Sequence, residues 1–178
     1  MTYGSSVTLT AMLSAGATGT VTFEDNGMVI SGAVPISGTT ATLTTSTLLS
    51  GPHSVTAVYS GDTNYNGATS SVLTQGVNQA TLTVTPSDAS RSYGTANPAF
   101  TSTITGFVNG DTQASVVTGS PSLTTTATAV SLQGHIPSLR LREALPRTTN
   151  YLFAFINGTL TVTLATGETT TLRCARRR

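Results

Sequence analysis

Several residue types are missing from the sequence or rare in it. Among 178 residues there is no tryptophan and no lysine, and charged residues make up only 8%. A globular protein ordinarily carries about 25% charged residues, so neutral polar side chains must cover most of this surface. Threonine, at about a fifth of the residues, suits the exposed face of a strand because it is both polar and β-branched. The composition therefore indicates an all-β protein of extracellular type.

Three further absences exclude common architectures. Cys174 is the single cysteine, so no disulfide framework can form within the chain. No apolar run reaches the 18 or so residues of a membrane-spanning helix. The first residues, MTYGSSVTLTAMLSAG, contain neither a basic region nor a continuous apolar stretch, so no signal peptide is predicted. We expect any export signal of the parent protein to lie outside this chain.

The charges are unevenly distributed. Residues 1–131 carry one arginine against five acidic residues, whereas residues 132–178 carry seven arginines against two. Such asymmetry can mark a tail that binds nucleic acid or membranes. However, the run Arg176-Arg177-Arg178 is shorter than the usual basic motif of about five to eight residues. We interpret residues 165–178 as a solvated, disordered tail and expect no nucleic-acid partner.

The first half of the chain alternates apolar residues with threonine or serine, as in Val7–Ala11 and Val55–Tyr59. Turn signals interrupt this pattern about every ten residues, and Asp25-Asn26-Gly27 is the strongest of them. The second half continues in the same way, with a turn predicted at Asn109-Gly110. At residues 151–163 the pattern predicts a hairpin closed by Asn157-Gly158. Many short strands at this spacing are typical of β-sandwiches.

Two short motifs recur between the halves. Tyr3-Gly4 is repeated as Tyr93-Gly94 at an offset of 90, and Asn64-Tyr65 as Asn150-Tyr151 at an offset of 86. Similar offsets favour two tandem modules with a boundary near Gln79.

Residues 3–78 resemble a bacterial immunoglobulin-like repeat, on the segments YGSSVTL, GTVTF and GPHSVTAVYSGDTNYN. Residues 79–163 resemble a second bacterial Ig-like type, the MBG domain, on LTVTPSDASRSYGTANPAF, TGFVNGD and NYLFAFINGTLTVT. The resemblance implies an all-β fold of two tandem immunoglobulin-like β-sandwich modules. It also implies a role as spacer or adhesive stalk modules and carries no catalytic residues.

We therefore predict a bacterial Ig-like domain at residues 1–78 and an MBG-type domain at residues 79–164, either of which can be incomplete. Repeats of the first type usually have another strand before Tyr-Gly. Met1 begins too late to supply it, so we expect an open sheet edge there.

Residues 132–147, LQGHIPSLRLREALPR, break the local pattern because threonine vanishes and the alternation stops. Related modules read Pro-x-Gly-Thr-Tyr-Pro-Ile-Thr here, and one possible coding sequence shifted by one base restores such a strand. A compensated frameshift ending before Asn150 is our hypothesis, and a genuine divergent loop is the alternative. In both cases we expect the second sandwich to lack a strand.

Three patterns could carry chemistry, and each has a simpler structural interpretation. Residues 62–67, DTNYNG, begin like an EF-hand loop but have Leu73 where a bidentate glutamate is needed, so a side-chain-stabilised turn is favoured. His53 and His135 are the two histidines and no triad or zinc pattern accompanies them. His53 opens a predicted strand, and we interpret it as a packing or turn-facing residue. The acceptor sequence Asn157-Gly158-Thr159 is better explained by the hairpin turn.

We predict no catalytic, cofactor-binding or metal-binding residues. The predicted function is that of non-enzymatic structural or adhesion modules in a bacterial cell-surface or secreted protein, with neighbouring Ig-like repeats as partners and a surface protein or glycan as a further candidate. One alternative is a carbohydrate- or ligand-binding module, for which Tyr65, Tyr93 and Tyr151 are the candidate platforms. Another is a frame-damaged fragment without function.

Overall fold

The structure, a computed structural model, describes residues 1–131, 134–142 and 149–164, the middle range by its backbone alone. Strands dominate these ranges. The strands of the first half are β1 (Val7–Met12), β2 (Thr20–Asp25), β3 (Met28–Val29), β4 (Val34–Pro35), β5 (Thr40–Thr45), β6 (Gly51–Tyr59), β7 (Ala68–Thr69) and β8 (Leu73–Val77). The elements of the second half are β9 (Ala80–Pro86), β10 (Ala89–Ser92), β11 (Ser102–Thr105), the helix α1 (Gln113–Val116), β12 (Ser122–Thr124), β13 (Gly134–Arg142), β14 (Tyr151–Phe155) and β15 (Gly158–Thr163).

The strands of the first half form two sheets around a shared core. One sheet pairs β1 with β5, and the other has the order β3-β2-β6-β7, with β4 added to β2 and β8 to β6. The buried core side chains come from both sheets, namely Leu9, Val21, Phe23, Ala41 and Val55. Alternation places these residues on the inner faces, because successive side chains of a strand point to opposite sides of a sheet. The predicted all-β sandwich is confirmed.

Two of the predicted turns form as expected. Asn26 and Gly27, at φ 50° and 80°, connect β2 to β3 as a two-residue hairpin. Asn109 and Gly110 have φ 55° and 77°, and the N–H of Asp111 donates to the carbonyl of Val108 at 3.0 Å across the turn. Asparagine and glycine are the residues that tolerate this left-handed conformation best.

The strands of the second half lie in sheets of order β10-β15-β13-β12 and β11-β9-β14. The predicted hairpin over residues 151–163 is wrong, because β14 and β15 belong to different sheets. Neither Asn157 nor Gly158 adopts the positive φ of a type I′ turn. The chain therefore passes from one sheet to the other at this point, as Greek-key sandwiches require.

The expectation of a missing strand within residues 132–147 is also contradicted. The backbone of β13 pairs antiparallel with β15 on one side and β12 on the other, with a register irregularity between Pro137 and Leu139. The two neighbouring strands supply partners for the backbone N–H and C=O groups of β13. The strand can therefore form even though its side chains do not alternate between apolar and polar. The remaining residues of the segment, and the basic tail at 165–178 with Cys174, lie outside the described residues.

Contacts divide the described residues into two compact units. One contains residues 1–82, 106–116 and 149–152, and the other contains residues 83–105, 117–131, 134–142 and 153–164. Residues from the second half of the sequence thus contribute to the first unit.

Candidate functional site

Two buried tyrosines and one partly buried carboxylate form a cluster in the first unit. The hydroxyl of Tyr151 donates to Oδ2 of Asp111 at 2.6 Å, and the hydroxyl of Tyr3 donates to the same oxygen at 3.1 Å. The two tyrosine rings meet edge to face with centroids 5.4 Å apart. Tyr3 is 7% exposed and Tyr151 is fully buried. The cluster thus combines apolar burial with charge-assisted hydrogen bonds, which are stronger than neutral ones.

The turn of residues 108–111, which we call the Asn-Gly-Asp turn, delivers Asp111 to this cluster. Its Asn109 side chain donates to the carbonyl of Ser46 at 2.8 Å. A Cβ at Gly4 would come within 2.5 Å of the Val108 side chain. Only glycine permits so close an approach, and its φ of 84° favours glycine independently.

The environment of Tyr151 changes the acidity of its hydroxyl. Burial, together with the hydrogen bond to the Asp111 carboxylate, raises the pKa of Tyr151 to about 12. The hydroxyl therefore stays protonated at physiological pH and acts as a hydrogen-bond donor. The arrangement is suited to holding segments together.

The backbone around Tyr3 recurs around Tyr93. Tyr3 donates its N–H to the carbonyl of Asn78 at 2.8 Å, and Tyr93 donates its N–H to the carbonyl of Thr163 at 2.8 Å. In both places the preceding residue forms a parallel pair with the acceptor strand. We call residues 2–5 the first Tyr-Gly loop and residues 92–95 the second.

The loops share their turn geometry as well. The N–H of Ser5 donates to the carbonyl of Thr2 at 2.9 Å, and the N–H of Thr95 donates to the carbonyl of Ser92 at 3.3 Å. The glycine that follows the tyrosine has φ 84° in the first loop and 82° in the second. The 90-residue offset seen in the sequence therefore corresponds to a repeated local structure.

The two loops differ in what covers them. The ring of Tyr93 is 38% exposed, against 7% for Tyr3. A Cβ at Gly94 would meet no atom of the described residues within 4 Å, whereas one at Gly4 would overlap Val108. Among the described residues, the glycine of the second loop thus has no side chain against it like that of Val108 in the first loop.

The EF-hand-like segment forms a turn, as the sequence favoured. Oδ2 of Asp62 accepts bonds from the N–H and hydroxyl of Thr18 at 2.7 and 2.9 Å. Its Oδ1 accepts the N–H groups of Asn64 and Tyr65 at 2.7 and 2.8 Å. These donors, led by the Thr18 N–H, hold the pKa of Asp62 well below its usual value. Both oxygens thus face N–H and O–H donors, and no group of three potential metal ligands occurs within the described ranges.

His53 lies on β6 and is 7% exposed. Its Nδ1 lies 2.6 Å from Oδ2 of Asp25, and its Nε2 lies 2.7 Å from the carbonyl oxygen of Leu49. Burial by itself lowers the pKa of His53, but the Asp25 and Leu49 hydrogen bonds and the Asp25 charge together raise it above 6.5. The predicted packing role of His53 fits this position. The side chain of His135 lies outside the described part.

An open groove of about 580 Å³ runs along one side of the first sandwich. Its lining includes Leu13, Ala57, Tyr59, Tyr65 and Ser70. Tyr65 is 37% exposed, and its hydroxyl donates to the carbonyl of Ala15 at 2.9 Å, which fixes the ring. Of the three tyrosines predicted as candidate platforms, Tyr65 and Tyr93 are therefore accessible, whereas Tyr151 is buried and is excluded.

The fold and these loops define an immunoglobulin-like β-sandwich protein built from repeated modules. Comparison with protein families gives the same result in more detail. Residues 1–78 match the bacterial Ig-like domain, group 3, and residues 82–161 match the MBG domain of the YGX type. The chain is thus a bacterial Ig-like domain followed by an MBG domain, as the sequence predicted. Such domains are in general non-catalytic structural or surface modules.

No curated protein and no solved structure matches the chain significantly. No helix of the described part is long and apolar enough to cross a membrane.

The Tyr3, Asp111 and Tyr151 cluster was not predicted as a unit from the sequence. The repeated Tyr-Gly and Asn-Tyr motifs contain two of its members, but only as landmarks of repetition. The signal that could have found it is Asp111, an acidic residue directly after a tight turn in a chain with few charges.

Proposed function

We propose that the chain supplies load-bearing spacer modules of a bacterial cell-surface or secreted protein, with neighbouring Ig-like repeats as its partners. The supporting observation is the parallel pairing that joins an early and a late segment in each of the two modules. Thr2 pairs in parallel with Asn78, and β10 pairs in parallel with β15. No catalytic group is needed for this function.

Parallel pairing resists tension for a geometric reason. When a module is pulled by its two ends, paired segments that run in the same direction slide past each other. All hydrogen bonds between them are then loaded together, whereas an antiparallel hairpin pulled at its open end loses its bonds one at a time. In the first module these bonds include Tyr3 N–H to the Asn78 carbonyl and Asn78 N–H to the Met1 carbonyl, each at 2.8 Å.

Single-molecule pulling of the full chain through handles at its two ends tests the proposal. We expect Asn78→Pro to lower the unfolding force of the first module, because proline removes the N–H that bonds to Met1. Asn78→Ala is the matched control, since it alters an exposed side chain and keeps the N–H. Forced unfolding follows the unfolding barrier, so equal forces for Asn78→Pro and the unaltered chain would refute the load-bearing role.

Carbohydrate binding in the groove is a second candidate, favoured by the fixed and partly exposed ring of Tyr65. A glycan array should then show binding by the full chain that Tyr65→Ala abolishes. Tyr65→Phe is the matched control, because it keeps the ring but removes the bond to Ala15. Absence of binding by the unaltered chain would exclude this candidate and leave the spacer role intact.

A further inference from the structure

We propose that the second Tyr-Gly loop, residues 92–95, is a docking site for the Asn-Gly-Asp turn of a further MBG-type repeat. The inference rests on the proposed spacer function, because it specifies how one repeat engages the next. It commits to one occupant, a turn with the chemistry of residues 106–112, GFVNGDT.

The occupied first loop identifies this occupant. There, the Asn-Gly-Asp turn places the Val108 side chain over Gly4 and the Asp111 carboxylate on the hydroxyl of Tyr3. Tyr151 also takes part in this contact. Its neighbour Asn150 is held at the start of β9, because the N–H of Ala80 donates to the Asn150 carbonyl at 2.9 Å. The features needed on the receiving side are thus a tyrosine followed by a glycine of positive φ.

The second loop has these receiving features, and within the described ranges no turn like that of residues 108–111 lies against Gly94. Tyr93 matches Tyr3 in its N–H bond and Gly94 matches Gly4 in φ, although the N–H of Gly94 also donates to the carbonyl of Ala129 at 3.0 Å. No described atom lies within 4 Å of the position of a Gly94 Cβ. In the first module a single residue, Gln79, separates the paired Asn78 from β9. The corresponding junction follows Thr163, so a repeat joined there would bring its own turn to Tyr93.

The first test extends the full chain by repeating residues 79–163 directly after Thr163. The added copy carries Tyr93→Phe, so that a single Tyr93 reports. Nitration of Tyr93 by tetranitromethane is followed by mass spectrometry. We expect Tyr93 to react readily in the unaltered chain. In the extended chain it should react about tenfold more slowly, because only local opening of the docked turn then exposes it. A larger calorimetric enthalpy of unfolding shows that the added copy has folded.

Gly94→Asn in the extended chain provides the specificity control. Asparagine tolerates a positive φ but adds the Cβ that blocks the approach of the valine. We expect this variant to restore rapid nitration of Tyr93 and to leave the slow nitration of Tyr3 unchanged. Slow nitration of Tyr93 already in the unaltered chain would overturn the proposal, since the chain itself would then cover the site.

A second measurement does not depend on the folding of an added repeat. The synthetic peptide GFVNGDT is titrated into the isotope-labelled full chain, and amide shifts are followed by NMR. Shifts confined to residues 92–95 and their paired strand, and lost in Gly94→Asn, support the proposal. Absence of such shifts together with unprotected Tyr93 in the extended chain refutes it, whereas the pulling experiment on the unextended chain decides the spacer function independently.

Discussion

One carboxylate oxygen of Asp111, Oδ2, accepts hydrogen bonds from two tyrosine hydroxyls. The distance is 2.6 Å to Tyr151 and 3.1 Å to Tyr3. Asp111→Ala leaves the buried Tyr151 hydroxyl without this carboxylate. A hydrogen bond to a charged group contributes about 1.5–3 kcal/mol, and we expect the free energy of unfolding to fall by that amount in urea titrations.

Tyr3→Phe is the graded comparison for Asp111→Ala, because it removes only the longer bond and keeps the edge-to-face ring contact. Its expected cost is smaller, about 0.5–1.5 kcal/mol, because the Tyr3 bond to Oδ2 is the longer and therefore the weaker of the two. Equal losses for the two variants would show that the Tyr151 bond adds nothing.

His53 makes stability depend on pH. The Leu49 carbonyl can only accept, and the ionised Asp25 carboxylate accepts as well, so both ring nitrogens donate when the imidazole is protonated. The pKa of folded His53 lies above 6.5. The stabilising contribution is therefore complete below pH 6.5 and is lost as the pH rises through the higher pKa of the folded state. Urea unfolding measured at a series of pH values should show this decline.

Asp25→Asn tests the cause of that decline. The amide carries no charge to favour the imidazolium ring, so the stability of this variant should change less with pH above 6.5. Asp25 is the charged group that contributes to the His53 shift, and Gln75 is the neutral residue opposite His53 on β8. An unchanged pH profile in Asp25→Asn would assign the dependence to another group.

Gly158, at the start of β15, packs closely against Pro86, at the end of β9. A Cβ at Gly158 would lie 2.7 Å from Cβ of Pro86, and no positive φ contributes to the effect. We expect Gly158→Ala to destabilise by about 1–3 kcal/mol through overpacking. Gly76→Ala on β8 is the control, because a Cβ there meets no described atom within 4 Å. Calorimetry should show a lower Tm for Gly158→Ala alone.

The same region shows why one turn could be predicted and another could not. Asn26-Gly27 and Asn157-Gly158 have the same residues, and local propensity predicts a hairpin for both. At Asn157 the flanking strands instead find partners in different sheets, and Ile156 donates its N–H to the carbonyl of Val84 at 3.0 Å. Long-range pairing decides there, and it is invisible to a local pattern.

β13 shows the same effect of long-range pairing on a strand that the local pattern does not predict. Its residues lack alternation and threonine, yet the backbone takes a position with a paired strand on each side. Side-chain pattern is a weak guide for such a strand, because its neighbours supply the hydrogen-bond partners on both sides. The family type, the sandwich and the tight turns followed from local sequence, whereas this strand and the tyrosine cluster depend on contacts distant in the sequence.

At the scale of the whole molecule, the first Tyr-Gly loop joins segments from both matched domains within one compact unit. Tyr3 lies in the bacterial Ig-like domain, and Asp111 and Tyr151 lie in the MBG domain. The predicted boundary near Gln79 remains a prediction about sequence modules. The unit defined by contacts includes residues 106–116 and 149–152 with residues 1–82, so we expect stability to be shared across that boundary.

Gly4→Asn tests this sharing. The added Cβ overlaps Val108 while the positive φ is tolerated, so the Asn-Gly-Asp turn should lift away and the amides of residues 106–112 should exchange faster by mass spectrometry. Gly94→Asn, the matched change in the open second loop, should leave that exchange unchanged. Faster exchange in both variants would point to backbone strain as the cause. Faster exchange in Gly4→Asn alone would show that close contact at Gly4 couples the two domains, because the two glycines differ in cover and share the same backbone geometry.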